Sequence, residues 1–251
     1  MKTIAQAFLS AHHKLSRGLF NIFMTCCVAL GASAQAMTFT PIEMDFSSSG
    51  RGATRIFRLE NNSSDPAAVE MMIKSRTMAM NGQDVLEDAE DQFSIFPAQL
   101  VLQPGQVQTV RVQYIGPAAL DKERSFRLIA EQLPIDVGQA PQDGGRMRLL
   151  VKYIASIYVV PPNVKAVLSV PEAQIVSEGG QRWLQVKVRN DGGTRKILKN
   201  VKLLIGKLNL AGDALSGMEG ENVLAQTSRV FRLKLPPELK KLDDLPRLMM
   251  D

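Results

Sequence analysis

The side chains that most often carry out catalysis or bind metals stand at one end of this 251-residue chain. Both histidines and both cysteines lie before residue 30. The remainder has no imidazole or thiol, the groups that supply most catalytic nucleophiles, general bases and zinc ligands. The acidic run at residues 87–91 lacks the alternating spacing and the glycine of a calcium loop, so we interpret it as a solvated loop. The pattern predicts a protein that is not an enzyme and has no metal or other cofactor.

The first 36 residues predict a cleaved secretory signal peptide. Lys2, Lys14 and Arg17 stand in a segment without acids, an apolar run follows at 19–31, and Ala-Ser-Ala-Gln-Ala occupies 32–36. This order of a basic region, a short apolar region and a small-residue cleavage site is typical of such peptides. The apolar run is too short to cross a membrane, which takes about 20 residues. Cleavage after Ala34 or Ala36 fits, and we favour Ala36.

The charge of the exported part is close to neutral. The chain has 30 basic and 25 acidic residues, and three of the basic ones lie in the leader. The remaining surplus of two positive charges does not predict nucleic-acid binding, which needs a clustered basic face. Removal of the leader would also leave no cysteine, so we expect the fold to stand without disulfides in an oxidising compartment.

The exported part has the short alternating segments of an all-β protein. We predict seven strands before residue 160, with single strands at 38–46, 93–102 and 146–160, and a hairpin turn at Asn81-Gly82. Such a count fits an immunoglobulin-like sandwich. Pro161-Pro162 then interrupts the ladder, and the following turns and strands predict a smaller β domain, with Trp183 in its core. The predicted domains span 37–160 and 161–251.

Several segments of the first predicted domain resemble the periplasmic chaperones of chaperone–usher pilus assembly. They are 40–46 (Thr-Pro-Ile-Glu-Met-Asp-Phe), 55–61 (Arg-Ile-Phe-Arg-Leu-Glu-Asn), the segment from Phe96-Pro97 through Gln103-Pro104-Gly105-Gln106 to Val110-Arg111-Val112, and 125–135 (Ser-Phe-Arg-Leu-Ile-Ala-Glu-Gln-Leu-Pro-Ile). The last of these is the most specific and is similar to the archaic branch of the family. The resemblance covers about 37–165, whereas the second domain matches in pattern only.

The resemblance implies a fold and a function. The fold is two immunoglobulin-like β-sandwich domains in an L-shaped arrangement. The partners are pilus subunits that lack one strand, and an outer-membrane usher to which they are delivered. The chaperone's last strand of the first domain fills the subunit's groove, by addition of a strand to an exposed sheet edge. The location is the periplasm.

The resemblance also implies where a subunit's C-terminal carboxylate is held. The best-known members use an Arg in the first strand and a Lys in the seventh, but the corresponding positions here are Glu43 and Ser156. In the archaic branch the cations stand on the sixth and seventh strands, where this chain has Arg127 and Lys152. We therefore expect Arg127 and Lys152 to converge on the carboxylate, with Arg111 as the alternative anchor. The alternative for each cation is a solvated surface charge.

The predicted seventh strand is apolar on both faces for much of its length. By pattern alone it could equally be a central strand of a sandwich. The resemblance favours a donor strand with Met147, Leu149, Val151 and Tyr153 as the side chains given to the subunit. An unsheltered strand of this kind is an aggregation hazard, so we expect self-association or the loop at 138–145 to cover it in the free protein.

Two other functions compete with this one. A structural or adhesive immunoglobulin-like module needs neither a doubly apolar seventh strand nor converging cations. A secreted carboxylate hydrolase of β-sandwich fold needs a pair of acids on converging strands, and outside the acidic run the sequence has none in evident register.

Overall fold

The computed structural model describes residues 37–134 and 150–250. These residues form β-strands with three short 3-10 helices, at Gly50–Ala53, Glu90–Gln92 and Gly212–Leu215. The all-β prediction is therefore confirmed. The signal peptide, residues 1–36, lies outside the described residues and stays a prediction, as does the domain boundary at 160.

The strands before residue 160 form a first sandwich. They are β1 (Thr38–Thr40), β2 (Glu43–Phe46), β3 (Thr54–Glu60), β4 (Ala67–Met78), β5 (Asp84–Asp88), β6 (Phe93–Phe96), β7 (Gln99–Leu102), β8 (Val107–Tyr114), β9 (Arg124–Leu133) and β10 (Lys152–Val159). One sheet has the order β1-β3-β8-β6. The other has the order β2-β10-β9-β4-β5, with β7 also paired to β4. Strands β2 and β10 run parallel, and the other pairs of this sandwich are antiparallel.

Two predicted strands are each divided between the sheets. The predicted strand 38–46 is β1 and β2, which flank Pro41, and the predicted strand 93–102 is β6 and β7, which flank Pro97. In both cases the first piece belongs to the four-stranded sheet and the second piece to the other. Proline cannot donate a ladder hydrogen bond, so the chain leaves one sheet there and joins the facing one. The predictions of single strands were wrong at these points.

Aromatic rings fill the core between the two sheets. Phe93 lies at its centre, with ring centroids 4.9 Å from Phe126, 5.2 Å from Tyr114 and 5.8 Å from Phe46. The edge-to-face geometry of these pairs suits the ring quadrupoles and adds about 0.5–1.5 kcal/mol per pair beyond burial. This core holds together the two sheets whose strands carry the candidate functional residues.

The strands after residue 160 surround a separate hydrophobic core. They are β11 (Leu168–Glu178), β12 (Gln181–Asn190), β13 (Lys196–Ile197), β14 (Lys202–Ile205), β15 (Leu208–Ala211), β16 (Asn222–Val223), β17 (Ser228–Lys234) and β18 (Arg247–Met249). Alternate residues of β12, namely Leu184, Val186 and Val188, are fully buried in this core. Trp183 has the opposite parity and lies under the guanidinium of Arg232, at 4.4 Å from the ring. Its predicted place in the core was wrong.

Candidate functional site

Strand β10 has an open edge in its first half. The amide of Gln132 on β9 donates to the carbonyl of Val151 at 3.0 Å, whereas the amide of Ser156 donates to Ile42 on the other side at 2.8 Å. Because alternate residues of a strand bond to opposite neighbours, Lys152 and Ile154 direct their backbone groups away from β9. Strand β2 pairs only with residues 156–159 of β10. Within the described ranges, no strand pairs with Lys152 or Ile154 on the side of β10 that faces away from β9.

Only part of the predicted donor strand can be placed. Met147 and Leu149 lie outside the described residues, and β10 begins at Lys152. Val151 is half-buried. Tyr153 packs edge-on against Phe39 in the first sandwich's own core, and its hydroxyl donates to the carbonyl of Met37. Burial raises the pKa of the Tyr153 phenol. The first sandwich therefore already uses Tyr153 for its own packing.

Arg127 lies in the middle of β9, opposite Ser156 on β10 and Lys74 on β4. Its Nε and Nη2 atoms both donate to Asp84 Oδ2, at 2.7 and 2.6 Å, and its Nη1 donates to Ser156 Oγ. Only 17% of the side chain is exposed. Ser156 is itself opposite Glu43 on β2, so Arg127 reaches toward the two positions where better-known relatives are expected to hold their cations.

Lys152 does not meet Arg127. Lys152 is opposite Glu131 on β9 and forms an ion pair with it at 2.8 Å, with 48% of the lysine side chain exposed. Arg127 is four residues from Glu131, which is about 13 Å along a strand. The two cations share one face of the sheet, but in the free protein each is paired with its own acid and they do not converge.

Arg111 is remote from both. It lies on β8 in the other sheet, exposed, opposite Ile56 and Phe96. The two sheets face each other across the core, and Arg111 points outward from its own. The structure therefore does not bring the alternative anchor to the open edge of β10.

The sequence analysis missed a second arginine beside Arg127. Arg76 on β4 is almost fully buried, and its Nε donates to Asp84 Oδ1 at 2.6 Å. Its Nη1 donates to the hydroxyl of Tyr158 at 3.3 Å. This arrangement could have been inferred from the predicted turn at Asn81-Gly82. The turn places Met78 opposite Asp84, so Asp84 lies diagonally across from Arg76 on the neighbouring strand.

An open cavity of about 710 Å³ lies over these groups. Residues after 160 form part of its wall: Asn222 donates to the Tyr158 hydroxyl at 3.1 Å, and Arg229 pairs with Glu221 at 2.7 Å. The amide of Val230 donates to the carbonyl of Met80 at 2.7 Å. The lining residues are Glu43, Arg76, Gly82, Gln83, Asp84, Arg127, Ser156, Tyr158, Ile197, Gly220, Glu221, Asn222 and Arg229.

One arginine links the two parts of the wall. Arg195 lies 3.5 Å over the ring of Tyr158 and donates to Asp45 at 2.8 Å and to Glu123 at 2.9 Å. Burial lowers the pKa of Arg195, but the neighbouring carboxylates of Glu123 and Asp45 outweigh it, and the net shift is upward. Arg195 therefore remains charged and ties β2 and Glu123 to the segment after β12.

The described residues include neither a cluster of metal-binding side chains nor a helix that could cross a membrane. They include no group of three or more His, Cys, Asp or Glu side chains that could hold a metal ion. No helix within 37–134 or 150–250 is long and apolar enough to cross a membrane. What the site offers instead is an open strand edge beside guanidinium groups, suited to an extended chain and a carboxylate.

Comparison with known proteins gives a family and a fold. The family model described as "Pili and flagellar-assembly chaperone, PapD N-terminal domain" matches residues 42–165. A search of curated proteins finds no match. Among solved structures, the chain is similar to one from the CsuC–CsuE chaperone–tip adhesion subunit pre-assembly complex of the archaic chaperone–usher Csu pili of Acinetobacter baumannii. The identity is 14%, the TM-score is 0.57, and the match covers 86% of this chain and 97% of that chain.

Two further solved structures agree. A chain of a chaperone–tip adhesin complex of CFA/I fimbriae biogenesis has 13% identity and a TM-score of 0.57, with 86% of this chain and 94% of that chain covered. The class 5 fimbriae chaperone CfaA has 14% identity and a TM-score of 0.55, with 85% and 98% covered. At identities this low, the structural similarity shows a shared fold, which consists of two immunoglobulin-like sandwiches. The match of the family model includes β2 to β10, so residues 42–165 are a domain of the pili and flagellar-assembly chaperone family.

Proposed function

We propose that this protein is a periplasmic chaperone that captures pilus subunits by donor-strand complementation and delivers them to an outer-membrane usher. The observation that carries the proposal is the open edge of β10 at Lys152 and Ile154. It lies directly after Met147, Leu149 and Val151, three apolar residues of one parity. An extended subunit chain can pair with such an edge through its backbone, while alternate side chains fill the subunit's pockets. Tyr153 then anchors the end of the donor segment in the chaperone's own core.

The positions of the basic residues on β9 and β10 fit the archaic branch of the family best. Glu43 and Ser156 occupy the positions where the better-known relatives would carry their anchoring pair, and Arg127 lies beside Ser156 on the neighbouring strand. We assign Arg127 the role of binding the subunit's terminal carboxylate, because a guanidinium can hold a carboxylate through two parallel bonds. Lys152 is retained as a second contact. Its exposed ion pair with Glu131 is worth under about 1 kcal/mol and is easily exchanged.

The partners and the location follow from this function. The likeness to solved chaperone complexes supports a subunit or tip adhesin as the partner. Export requires removal of the leader near Ala36. An exposed edge invites unwanted strand pairing, which supports a covered free state, either by self-association or by the loop at 138–145.

Co-expression with a candidate subunit in the periplasm tests the proposal. Replacing Leu149 and Val151 by Asp should abolish co-purification of the subunit, because each apolar side chain contributes about 1.5–3 kcal/mol when fully buried. The pair is therefore worth roughly a thousandfold in affinity. The control is the double replacement of Ile56 and Val101 by Asp, which adds the same charge at exposed positions away from β10.

The control variant should retain the subunit, and circular dichroism should show both variants folded. Normal recovery of the subunit by the Leu149→Asp, Val151→Asp variant would disprove donor-strand capture. A wild-type protein that protects no subunit from degradation would favour the structural or adhesive module instead.

A further inference from the structure

The Asp84 carboxylate is already hydrogen-bonded to the guanidinium groups that the carboxylate of a bound subunit would need. Its Oδ2 accepts two bonds from Arg127, at 2.7 Å from Nε and 2.6 Å from Nη2, and its Oδ1 accepts one from Arg76 at 2.6 Å. These are charge-assisted bonds, the stronger class of hydrogen bond in proteins. The carboxylate is 24% exposed, so it is accessible from the cavity. A carboxylate of this chain thus has the geometry expected for a bound ligand.

The cavity has no surplus of positive charge to attract a ligand. Its charged lining residues are three cations and three anions: Arg76, Arg127, Arg229, Glu43, Asp84 and Glu221. The ion pairs account for most of them, since Asp84 bonds both Arg76 and Arg127 while Glu221 pairs with Arg229 at 2.7 Å. An incoming carboxylate therefore cannot simply add to Arg127. It must replace an acid that is already there.

The position of Asp84 in the fold makes replacement a local event. Asp84 is the first residue of β5, an edge strand whose five residues are all exposed and which pairs only with β4 in the described sheet. Few buried contacts hold such a segment. The turn before it remains attached, because Met80 accepts a hydrogen bond from Val230. The Asp84 side chain can therefore leave Arg127 while the core and the turn stay in place.

We propose that Asp84 is an internal placeholder for the subunit's C-terminal carboxylate, which exchanges with it on Arg127 during capture. This inference rests on the proposed function. It gives the site a selectivity that free cations would lack. A chain without a carboxylate at the correct position cannot displace Asp84, and so gains nothing from Arg127. Placeholder exchange also limits the affinity, which suits a partner that must later be released.

Replacement of Asp84 by Asn in the mature full-length protein tests the proposal. The probes are an N-acetylated tetrapeptide with a free C-terminal carboxylate and the same peptide with an amidated end. Binding is followed by the NMR signal of the Arg127 Nε–H group. The variant should bind the free-acid peptide at least about tenfold more tightly than wild type does, and the amidated peptide should bind no better. In the Asp84→Asn, Arg127→Ala double variant the gain should be lost, with binding followed by backbone amide signals.

A matched control separates placeholder loss from a change in net charge. Asp88→Asn removes the same charge from the same strand, but Asp88 is 78% exposed and pairs with Lys74. It should leave both peptide affinities unchanged. Amide spectra verify that the variants fold, and Asp84→Ser provides a second variant that also lacks the carboxylate.

The outcomes distinguish this inference from the proposed function. If wild type prefers the free acid and Asp84→Asn binds it equally well, the placeholder is disproved and the carboxylate anchor stands. If Asp84→Asn binds the free acid more weakly, Asp84 positions Arg127 instead, and the placeholder is again disproved. If neither wild type nor the variant distinguishes the two peptides, both the anchor and the placeholder are wrong.

Discussion

Replacement of Arg195 by Ala should destabilise the protein strongly, because it leaves a buried carboxylate without its cation. The side chain of Glu123 is 0% exposed. Its Oε2 accepts from Arg195 at 2.9 Å and from the Thr194 hydroxyl at 2.6 Å, whereas its Oε1 is buried without a hydrogen-bond partner among the described residues. Without Arg195, a single neutral hydroxyl remains to stabilise the charge.

The expected loss is about 3–5 kcal/mol, the usual cost of breaking a buried ion pair by removing one partner. Arg195 also lies 3.5 Å from the ring centre of Tyr158, a cation–π contact worth up to about 2 kcal/mol when desolvated. These contributions overlap, so we take the ion-pair range as the estimate. Domains of this kind have a total stability of about 5–15 kcal/mol. The loss is therefore a large fraction of the whole.

Urea denaturation provides the assay, followed by far-ultraviolet circular dichroism and by the fluorescence of Trp183, the single tryptophan. Arg189→Ala is the control, since Arg189 pairs with Asp191 at 2.5 Å and both side chains are more than half exposed. Such a surface pair should contribute under about 1 kcal/mol. The double variant Glu123→Gln, Arg195→Met should lose less than the sum of the single variants, because it removes both charges together.

The reasoning is refuted if Arg195→Ala loses no more stability than Arg189→Ala. Equal losses would mean that the Glu123 carboxylate is hydrated at little cost when Arg195 is absent, and that the contact between the two parts of the cavity wall depends on other residues.

Two further predictions concern Arg127 and Tyr153. Arg127→Ala should weaken subunit capture more than about tenfold, since removing one partner of a closed charge pair costs about 2–5 kcal/mol. Arg127→Lys should retain capture only in part. The control is Arg58→Ala, at an exposed position on the other sheet, which should have no effect. Unchanged capture by Arg127→Ala would show that Arg127 is not part of the site. Burial raises the pKa of Tyr153 above its ordinary value of 10.0, so the folded protein keeps the phenol proton at a pH where the unfolded chain has lost it. Its contribution to stability should therefore decline as pH rises from 10.0 through the raised pKa, and Tyr153→Phe should remove that part of the decline in urea titrations; an identical decline in the variant would contradict it.

Alternation of apolar residues predicted the strands of the first sandwich well, but not the sheet to which each belongs. Phe39 and Phe46 are both buried on the two sides of Pro41, and Phe93 and Leu102 are both buried on the two sides of Pro97. In each pair the two residues face the same core from opposite sheets, so the apolar pattern continues across the crossing. Only the prolines indicated a break.

The exposed strand β5 gave no such pattern. All of its residues, Asp84–Asp88, are exposed, so no burial alternates along it, and the sequence analysis predicted no strand there and interpreted its last two residues as part of a loop. Its pairing with β4 follows from the hairpin turn instead. The partners of Arg127 were hidden for the same reason, because Asp84 reaches it only through that pairing. A cation can be found from sequence, whereas the acid that neutralises it depends on tertiary structure.

Under the proposed function, the apolar donor residues and the subunit's C-terminal carboxylate each exclude a different shift in the register of strand pairing. A slip of one residue would turn every donor side chain away from its pocket, so apolar burial alone excludes it. A slip of two residues keeps the correct side chains facing inward and is opposed much less by burial. It moves the subunit's terminus by about 7 Å along the strand, away from Arg127. Exchange with Asp84 can then decide between registers, because in the shifted one Asp84 stays on Arg127 and the subunit's carboxylate finds no guanidinium.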